Sequence, residues 1–218
     1  METANIEFIK HLATWTIPVL YAITMHEAAH GFVAKLLGDK TAYMLGRVSL
    51  NPFKHIDPVG TVLVPLTLLF LGGFIFGWAK PVPINEHSFK NQKRDVAIVS
   101  LAGPLANILM AIFWAFMIKL SFYFKEIGYE HYIILEAVGR AGIIINIVLG
   151  MFNLIPIPPL DGSKIIYSII SRRMCFFYSR LEPVGFLIIL GLIISGLLGE
   201  ILGPMVNTCY ALIYDLVF

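Results

Sequence analysis

Charge is scarce in this chain. Asp, Glu, Lys and Arg together make up 14% of the 218 residues, whereas a soluble globular domain carries about 25%. Hydrophobic residues make up 58%, and the mean hydropathy is +0.80. The shortage of charge leaves little room for a soluble module and predicts a polytopic membrane protein.

Cysteine and basic tracts are also rare. The two cysteines, Cys175 and Cys209, do not form a Cys-x-x-Cys pair, which argues against a disulfide framework and against a thiolate zinc site. The net charge is only +2, and no basic tract indicates a nucleic-acid partner. Because Glu2 and Glu7 stand where a signal peptide would be basic, we expect no signal peptide.

Long apolar runs, separated by short polar or proline-containing stretches, organise the sequence. They cover residues 6–37, 59–78, 96–120, 132–152 and 184–199. We therefore expect an all-α membrane protein with five to six membrane helices or segments, in a single domain over residues 1–218. Residues 40–56 carry a weak extended or hairpin signal. Residues 205–218, after Gly203-Pro204, are expected to be too short to cross the membrane.

The first apolar run contains His26-Glu27-Ala28-Ala29-His30. Two histidines at i and i+4 share one helical face, so both imidazoles can reach one tetrahedral zinc while the glutamate serves as general base. The alternative is a set of polar residues satisfied in a core. That alternative is weaker here, since ionisable residues at membrane depth are costly and usually functional. The motif predicts a metal site.

A catalytic zinc needs three protein ligands and one open position. Asp161 follows an apolar run and a stretch with three prolines, which break the helix and can turn a carboxylate back toward the metal. Its alternative role is a helix N-cap. His55 and Asp57, in the polar stretch after the first run, are the other candidates for the third ligand. They could instead support the ligands or line a polar access path with Ser49, Asn51 and Asn85.

Three motifs together resemble the site-2 protease family. They are His26-Glu27-Ala28-Ala29-His30, Gly103-x-x-x-Asn107 and Asn153-x-x-Pro156-x-x-x-x-Asp161-Gly162, and the resemblance covers about residues 15–170. It implies one Zn²⁺ per chain, bound by His26, His30 and Asp161, with Glu27 as the base. It also makes Asn153 and Asn107 candidates for contact with the substrate or the developing oxyanion. The alternative for Asn153 is a capping role.

The resemblance implies a zinc endopeptidase that cuts transmembrane helices of membrane-protein substrates within the lipid bilayer, in regulated intramembrane proteolysis. We expect a multi-pass protein of a prokaryotic plasma membrane. Larger family members carry an inserted peptide-binding domain or a terminal regulatory domain, and we expect neither here. We therefore expect its substrate to be trimmed or unfolded first by another protein.

Two other functions would use the same residues. A metal transporter would use intramembrane His and Asp as transit ligands, but transit favours several sites along a path and the sequence offers one cluster. A catalytically inactive relative would only bind membrane helices, and binding alone does not require a base such as Glu27. Zinc content, measured together with cleavage of a test membrane helix, separates the three.

Residues 59–77 are predicted to dip into the membrane and return without crossing it. Pro65 and Gly72-Gly73 supply the chain breaks that a re-entrant segment needs. Without a crossing, Asp161 emerges on the same side as the two histidines. The loops then carry eleven Lys and Arg on one side against three on the other, whereas a crossing gives nine against five. The positive-inside rule makes the richer side cytosolic and places the active site toward the cytosol.

Cysteine labelling tests this topology. With a single cysteine at Lys54 or at Lys90, a membrane-impermeant thiol reagent should react with both positions from the cytosolic side only, because the segment between them returns to its starting side. Labelling of the two positions from opposite faces would establish a true span.

Overall fold

The computed structural model describes residues 2–70 and 77–218. These residues form helices joined by short turns. The helices are α1 (Glu2–Leu36), α2 (Thr41–Met44), α3 (Val64–Phe70), α4 (Gln92–Glu126), α5 (Tyr132–Asn153), α6 (Asp161–Ile169), α7 (Arg172–Ser179), α8 (Glu182–Ile194) and α9 (Leu197–Val217). A π-helical stretch at Pro58–Leu63 leads into α3, and single 3₁₀ turns occupy Pro52–Lys54 and Glu86–Ser88.

Three of the described helices are long and apolar enough to cross a membrane: α4, α5 and α9. The runs at 96–120 and 132–152 predicted α4 and α5 correctly. The expected break at Gly203-Pro204 is wrong, because α9 starts at Leu197 and continues through Pro204. Proline already has a helical φ angle and removes only one backbone hydrogen bond, a loss that apolar membrane helices tolerate.

Residues 40–56 do not form the predicted hairpin. No strand occurs in the described part of this stretch or elsewhere in residues 2–70 and 77–218. Instead the carboxylate of Asp39 accepts a hydrogen bond from the backbone N–H of Thr41, where α2 begins. The side chain of Asn51 accepts one from the N–H of Phe53 and starts the 3₁₀ turn. Local side-chain acceptors therefore favour helical turns over strand pairing here.

The core lies where α4 packs against α5. A Cβ at Gly142 of α5 would lie 2.3 Å from the Trp114 ring, and one at Gly139 would lie 2.6 Å from Ile118. The two glycines thus let large side chains of α4 rest directly on the α5 backbone. Ile213 and Val217 of α9 join the same buried cluster, and α1 packs on both α4 and α5. The packed helices α4 and α5 therefore fix the position of α1.

Residues 77–85 form an irregular stretch that we call the anchored segment. The N–H of Trp78 donates to the carbonyl of Gly60 at 3.0 Å, and the N–H of Lys80 donates to the carbonyl of His55 at 3.0 Å. The two ends of the apolar run at 59–78 therefore lie side by side. The predicted breaks at Gly72-Gly73 lie outside the described residues.

The C-terminal end of the anchored segment is held by Asp39, which is fully buried. Its carboxylate accepts hydrogen bonds from the N–H of Thr41 at 2.9 Å, the hydroxyl of Thr41 at 2.5 Å and the N–H of Asn85 at 2.7 Å. Burial by itself would raise the pKa of Asp39, but these donors stabilise the charged form and hold its pKa below the usual value.

Replacing Asp39 with alanine should lower the stability by about 3 kcal/mol at pH 7, because three hydrogen-bond donors lose a buried, ionised acceptor. The folded-state pKa is lower than the unfolded value of about 3.9. The stabilisation is therefore complete above that value, and it is lost as the pH falls through the folded-state pKa. Thermal unfolding in micelles at pH 7, 5 and 3 measures this.

The matched control is Asp215→Ala, since Asp215 is exposed and its loss should change stability by less than about 0.5 kcal/mol. If the difference in stability between the wild type and the Asp39 variant stays constant down to pH 3, the assigned hydrogen-bond network is wrong.

Candidate metal centre

Three buried side chains meet at one point: His26, His30 and Asp161. The Nε2 atoms of the two histidines are 3.0 Å apart. The Oδ2 atom of Asp161 lies 3.1 Å from Nε2 of His26 and 3.2 Å from Nε2 of His30. Ligands about 2.0–2.1 Å from a tetrahedral zinc lie ~3.3 Å from one another. The triangle therefore has the size of three corners of a zinc coordination sphere.

Local structure explains how Asp161 reaches the histidines. The helix α5 ends at Asn153, and a turn-rich stretch with three prolines leads to Asp161, the first residue of α6. A Cβ at Gly162 would lie 2.2 Å from the carbonyl oxygen of Leu154, so glycine lets α6 start tightly against this turn. Asp161 therefore begins a helix, but its carboxylate contacts the histidines rather than capping that helix.

The ring of His26 is held by a buried asparagine. Its Nδ1 lies 2.7 Å from Oδ1 of Asn107. The Nδ2 group of Asn107 donates to the carbonyl of Ala22 at 3.1 Å and to Oδ1 of Asn146 at 3.0 Å. Since the amide nitrogen of Asn107 is engaged in donating, its oxygen must accept, and Nδ1 of His26 must carry the proton.

The ring of His30 is held by the backbone. Its Nδ1 lies 2.7 Å from the carbonyl oxygen of Val99 in α4. A carbonyl can only accept, so Nδ1 of His30 also carries a proton. In the neutral form, both rings therefore direct an Nε2 lone pair toward the carboxylate of Asp161. Such a convergence of electron pairs calls for a cation, and outer hydrogen bonds of this kind orient the histidines of metal sites. The residues fit zinc.

Gly103 completes the wall of the site. A Cβ at this position would lie 2.5 Å from Nε2 of His30 and 2.7 Å from Nε2 of His26. The spacing of Gly103-x-x-x-Asn107 places both residues on one face of α4. One of them leaves space for the two rings, and the other holds His26 by a hydrogen bond. The motif Gly103-x-x-x-Asn107 thus has a physical reason.

Two other candidates for the third ligand lie outside the triangle. The Nε2 atom of His55 is 2.9 Å from the carbonyl of Ser49. The Oδ1 atom of Asp57 accepts from the N–H groups of Val59 and Gly60 and caps the helical stretch at Pro58–Leu63. Among the described residues, neither belongs to the group that could hold a metal, so neither is the third ligand in this arrangement.

The structure does not favour Asn107 as a contact for substrate. It is fully buried, and both its oxygen and its nitrogen are used by His26, Ala22 and Asn146. Asn153 donates to the carbonyl of Leu149 in its own helix at 2.9 Å; a role for it toward substrate stays a prediction.

Glu27 points away from the face shared by the two histidines. Its Oε2 accepts a hydrogen bond of 2.7 Å from the backbone N–H of Val82 in the anchored segment. Sequence reasoning missed this contact, the carbonyl of Val99 and the part played by Asn146. Only Asn146 gave a signal, as an uncharged polar residue in the middle of the apolar run at 132–152.

The fold and this site define a helical membrane protein with the ligand set of a zinc metalloprotease. Residues 14–195 match the model of peptidase family M50. The chain is 38% identical over 192 residues to YwhC of Bacillus subtilis, a protein named as a zinc metalloprotease. That match covers 88% of this chain and 84% of the relative.

Two further matches are more distant. Rip2 of Mycolicibacterium smegmatis, also named as a zinc metalloprotease, is 29% identical over 86% of this chain and 68% of its own length. The regulator of sigma-E protease RseP of Escherichia coli is 30% identical over 50% of this chain and 25% of its own. No solved structure matches the chain. The chain belongs to peptidase family M50, the site-2 proteases, which confirms the resemblance in its motifs.

Zinc binding distinguishes the possible ligand sets. Asp161→Ala should lose the bound zinc, because it removes one of three converging ligands and leaves two imidazoles. His55→Ala should retain about one zinc per chain, because His55 contacts Ser49 and not the site. Elemental analysis of the purified variants measures both. If the His55 variant lacks zinc and the Asp161 variant retains it, the third ligand has been assigned wrongly.

Proposed function

We propose that this chain is a zinc-dependent endopeptidase that hydrolyses peptide bonds in or near the transmembrane helices of membrane proteins. The observation that carries the proposal is the triangle of His26, His30 and Asp161, buried among membrane-length helices, with Glu27 directly after the first histidine in the sequence. Family membership supports the proteolytic activity. A single cluster of candidate metal ligands in the described residues does not favour a transport path.

The chain supplies a base and three buried side chains that could hold the metal for the reaction. Zinc bound by the triangle would polarise the scissile carbonyl and make water a good nucleophile near neutral pH. Glu27 takes the proton of the attacking water and delivers it to the leaving amine. Because helical backbone hides its peptide bonds in hydrogen bonds between i and i−4, the substrate helix must unwind locally before it is cut.

The proposal includes a membrane arrangement. We place the protein in a prokaryotic plasma membrane as a multi-pass protein with a single domain over residues 1–218, a catalytic core at about 6–170 and the active site toward the cytosol. The hydrogen bonds from Trp78 to Gly60 and from Thr61 to Trp78 support a re-entrant course for 59–77, since they join the two ends of that segment.

Glu27→Gln should keep its zinc and lose proteolysis. Glutamine fills the same space but cannot take up a proton, and removal of a general base lowers a rate by about 10²- to 10⁴-fold. The measurement is cleavage of a single-span substrate co-expressed with each variant, together with zinc content. Glu126→Gln, at the exposed end of α4, is the matched control and should cleave normally. Cleavage at the wild-type rate by the Glu27 variant would disprove the assigned role.

A further inference from the structure

We infer that the backbone amide of Val82 is a positioning group for the general base. It holds Oε2 of Glu27 so that the other carboxylate oxygen, Oε1, stays available for proton transfer. This inference rests on the proposed function and adds to it a group that none of the sequence motifs contains. Its basis is the contact between Glu27 and the anchored segment, residues 77–85.

The contact has the geometry of a strong hydrogen bond. The N–H of Val82 donates to Oε2 of Glu27 at 2.7 Å, which lies in the range of short bonds to an ionised acceptor. Val82 is buried, with 7% of its surface exposed. A bond of this kind, partly shielded from water, fixes one end of a side chain that otherwise rotates about three bonds.

The sequence around Val82 leaves only one possible donor. Pro81 and Pro83 flank it, and proline has no backbone N–H. Among these three residues, Val82 alone can donate to the carboxylate. The two prolines also restrict the backbone and bias the residues before them toward extended conformations. The donor is therefore presented at little cost in conformational entropy.

Both ends of the anchored segment are tied to the rest of the protein. On one side, the N–H of Lys80 donates to the carbonyl of His55, and the guanidinium of Arg47 donates to the carbonyl of Lys80 at 2.8 Å. On the other side, the N–H of Asn85 donates to Asp39 at 2.7 Å. The amide of Val82 lies between these ties, so its position relative to α1 is set from both directions.

The side chain of Val82 adds a third point of attachment. A Cβ on Gly31 of α1 would lie 3.1 Å from Cγ1 of Val82, so the valine packs directly on the helix that carries Glu27. A free glutamate next to two metal ligands could rotate away or bind the metal itself. Fixing one oxygen restricts this rotation, and preorganisation of this kind lowers the barrier of the chemical step without tightening substrate binding.

The test replaces the N–H of Val82 with an ester oxygen, by incorporating the α-hydroxy analogue of valine during cell-free synthesis of the full chain with lipid. The side chain and the shape of the backbone stay the same. Loss of a hydrogen bond to a charged group predicts a fall in kcat of about 10- to 100-fold, with KM changed less than about twofold and zinc content unchanged. An unchanged kcat would overturn the inference.

Val59 provides a matched control. It also follows a proline, and its N–H also donates to a carboxylate, that of Asp57, at 3.0 Å. The ester at Val59 removes the same kind of bond away from the metal centre, and kcat should stay within about twofold of the wild-type value. Equal losses of kcat at the two positions would show a general structural effect and would contradict a positioning role for Val82.

A second measurement needs no turnover. In the full-length, zinc-loaded protein labelled with ¹⁵N-valine, hydrogen exchange of the Val82 amide should become at least about tenfold faster in Glu27→Ala, because its acceptor is lost, while that of Val59 stays the same. Val82→Ala identifies the resonance. Unchanged exchange would refute the contact. If the wild type fails to cleave its substrate but exchange responds as expected, the proposed function falls and the contact stands.

Discussion

The candidate metal centre depends on the protons of two buried imidazoles. His26 donates its Nδ1 proton to Asn107, and His30 donates its own to the carbonyl of Val99. Both acceptors belong to α4, so the two bonds fix α1 against α4 as well as choosing the tautomer. A buried donor left without a partner costs about 1–3 kcal/mol, and apolar surroundings offer no water to replace it. The position of α1 and the direction of its ligands are therefore set together.

The rest of the fold supports the contact between α1 and α4. Gly103 lets the two rings approach α4, and Gly142 lets α5 approach the same helix from another side. Asn146 of α5 then reaches Asn107 and extends the polar network across three helices. The anchored segment contacts α1 at Glu27. In a protein with few charged residues, small residues and buried amide groups thus set the positions of the helices around the site.

Sequence patterns predicted the features that depend on neighbouring residues. They left open, or missed, most contacts between distant parts of the chain. His26 and His30 were found because their spacing puts them on one helical face. Asp161 had competitors, since no local rule decides which loop returns to a helix. The contacts of Val82 and Val99 use backbone atoms, which nearly every residue type has, so the sequence does not reveal them. The helical turns that replace the predicted hairpin begin at the local acceptors Asp39 and Asn51, whose strength relative to strand pairing the sequence pattern does not show.

The ligands are far apart in the order of synthesis. His26 and Asp161 are separated by 135 residues, so the ribosome has made α1, α4 and α5 before the last ligand appears. Under the proposed function, a nascent chain holds the base and two imidazoles but cannot complete the coordination sphere. Unfinished or prematurely terminated chains are then inactive, and neighbouring membrane proteins meet the protease only when its core is fully built.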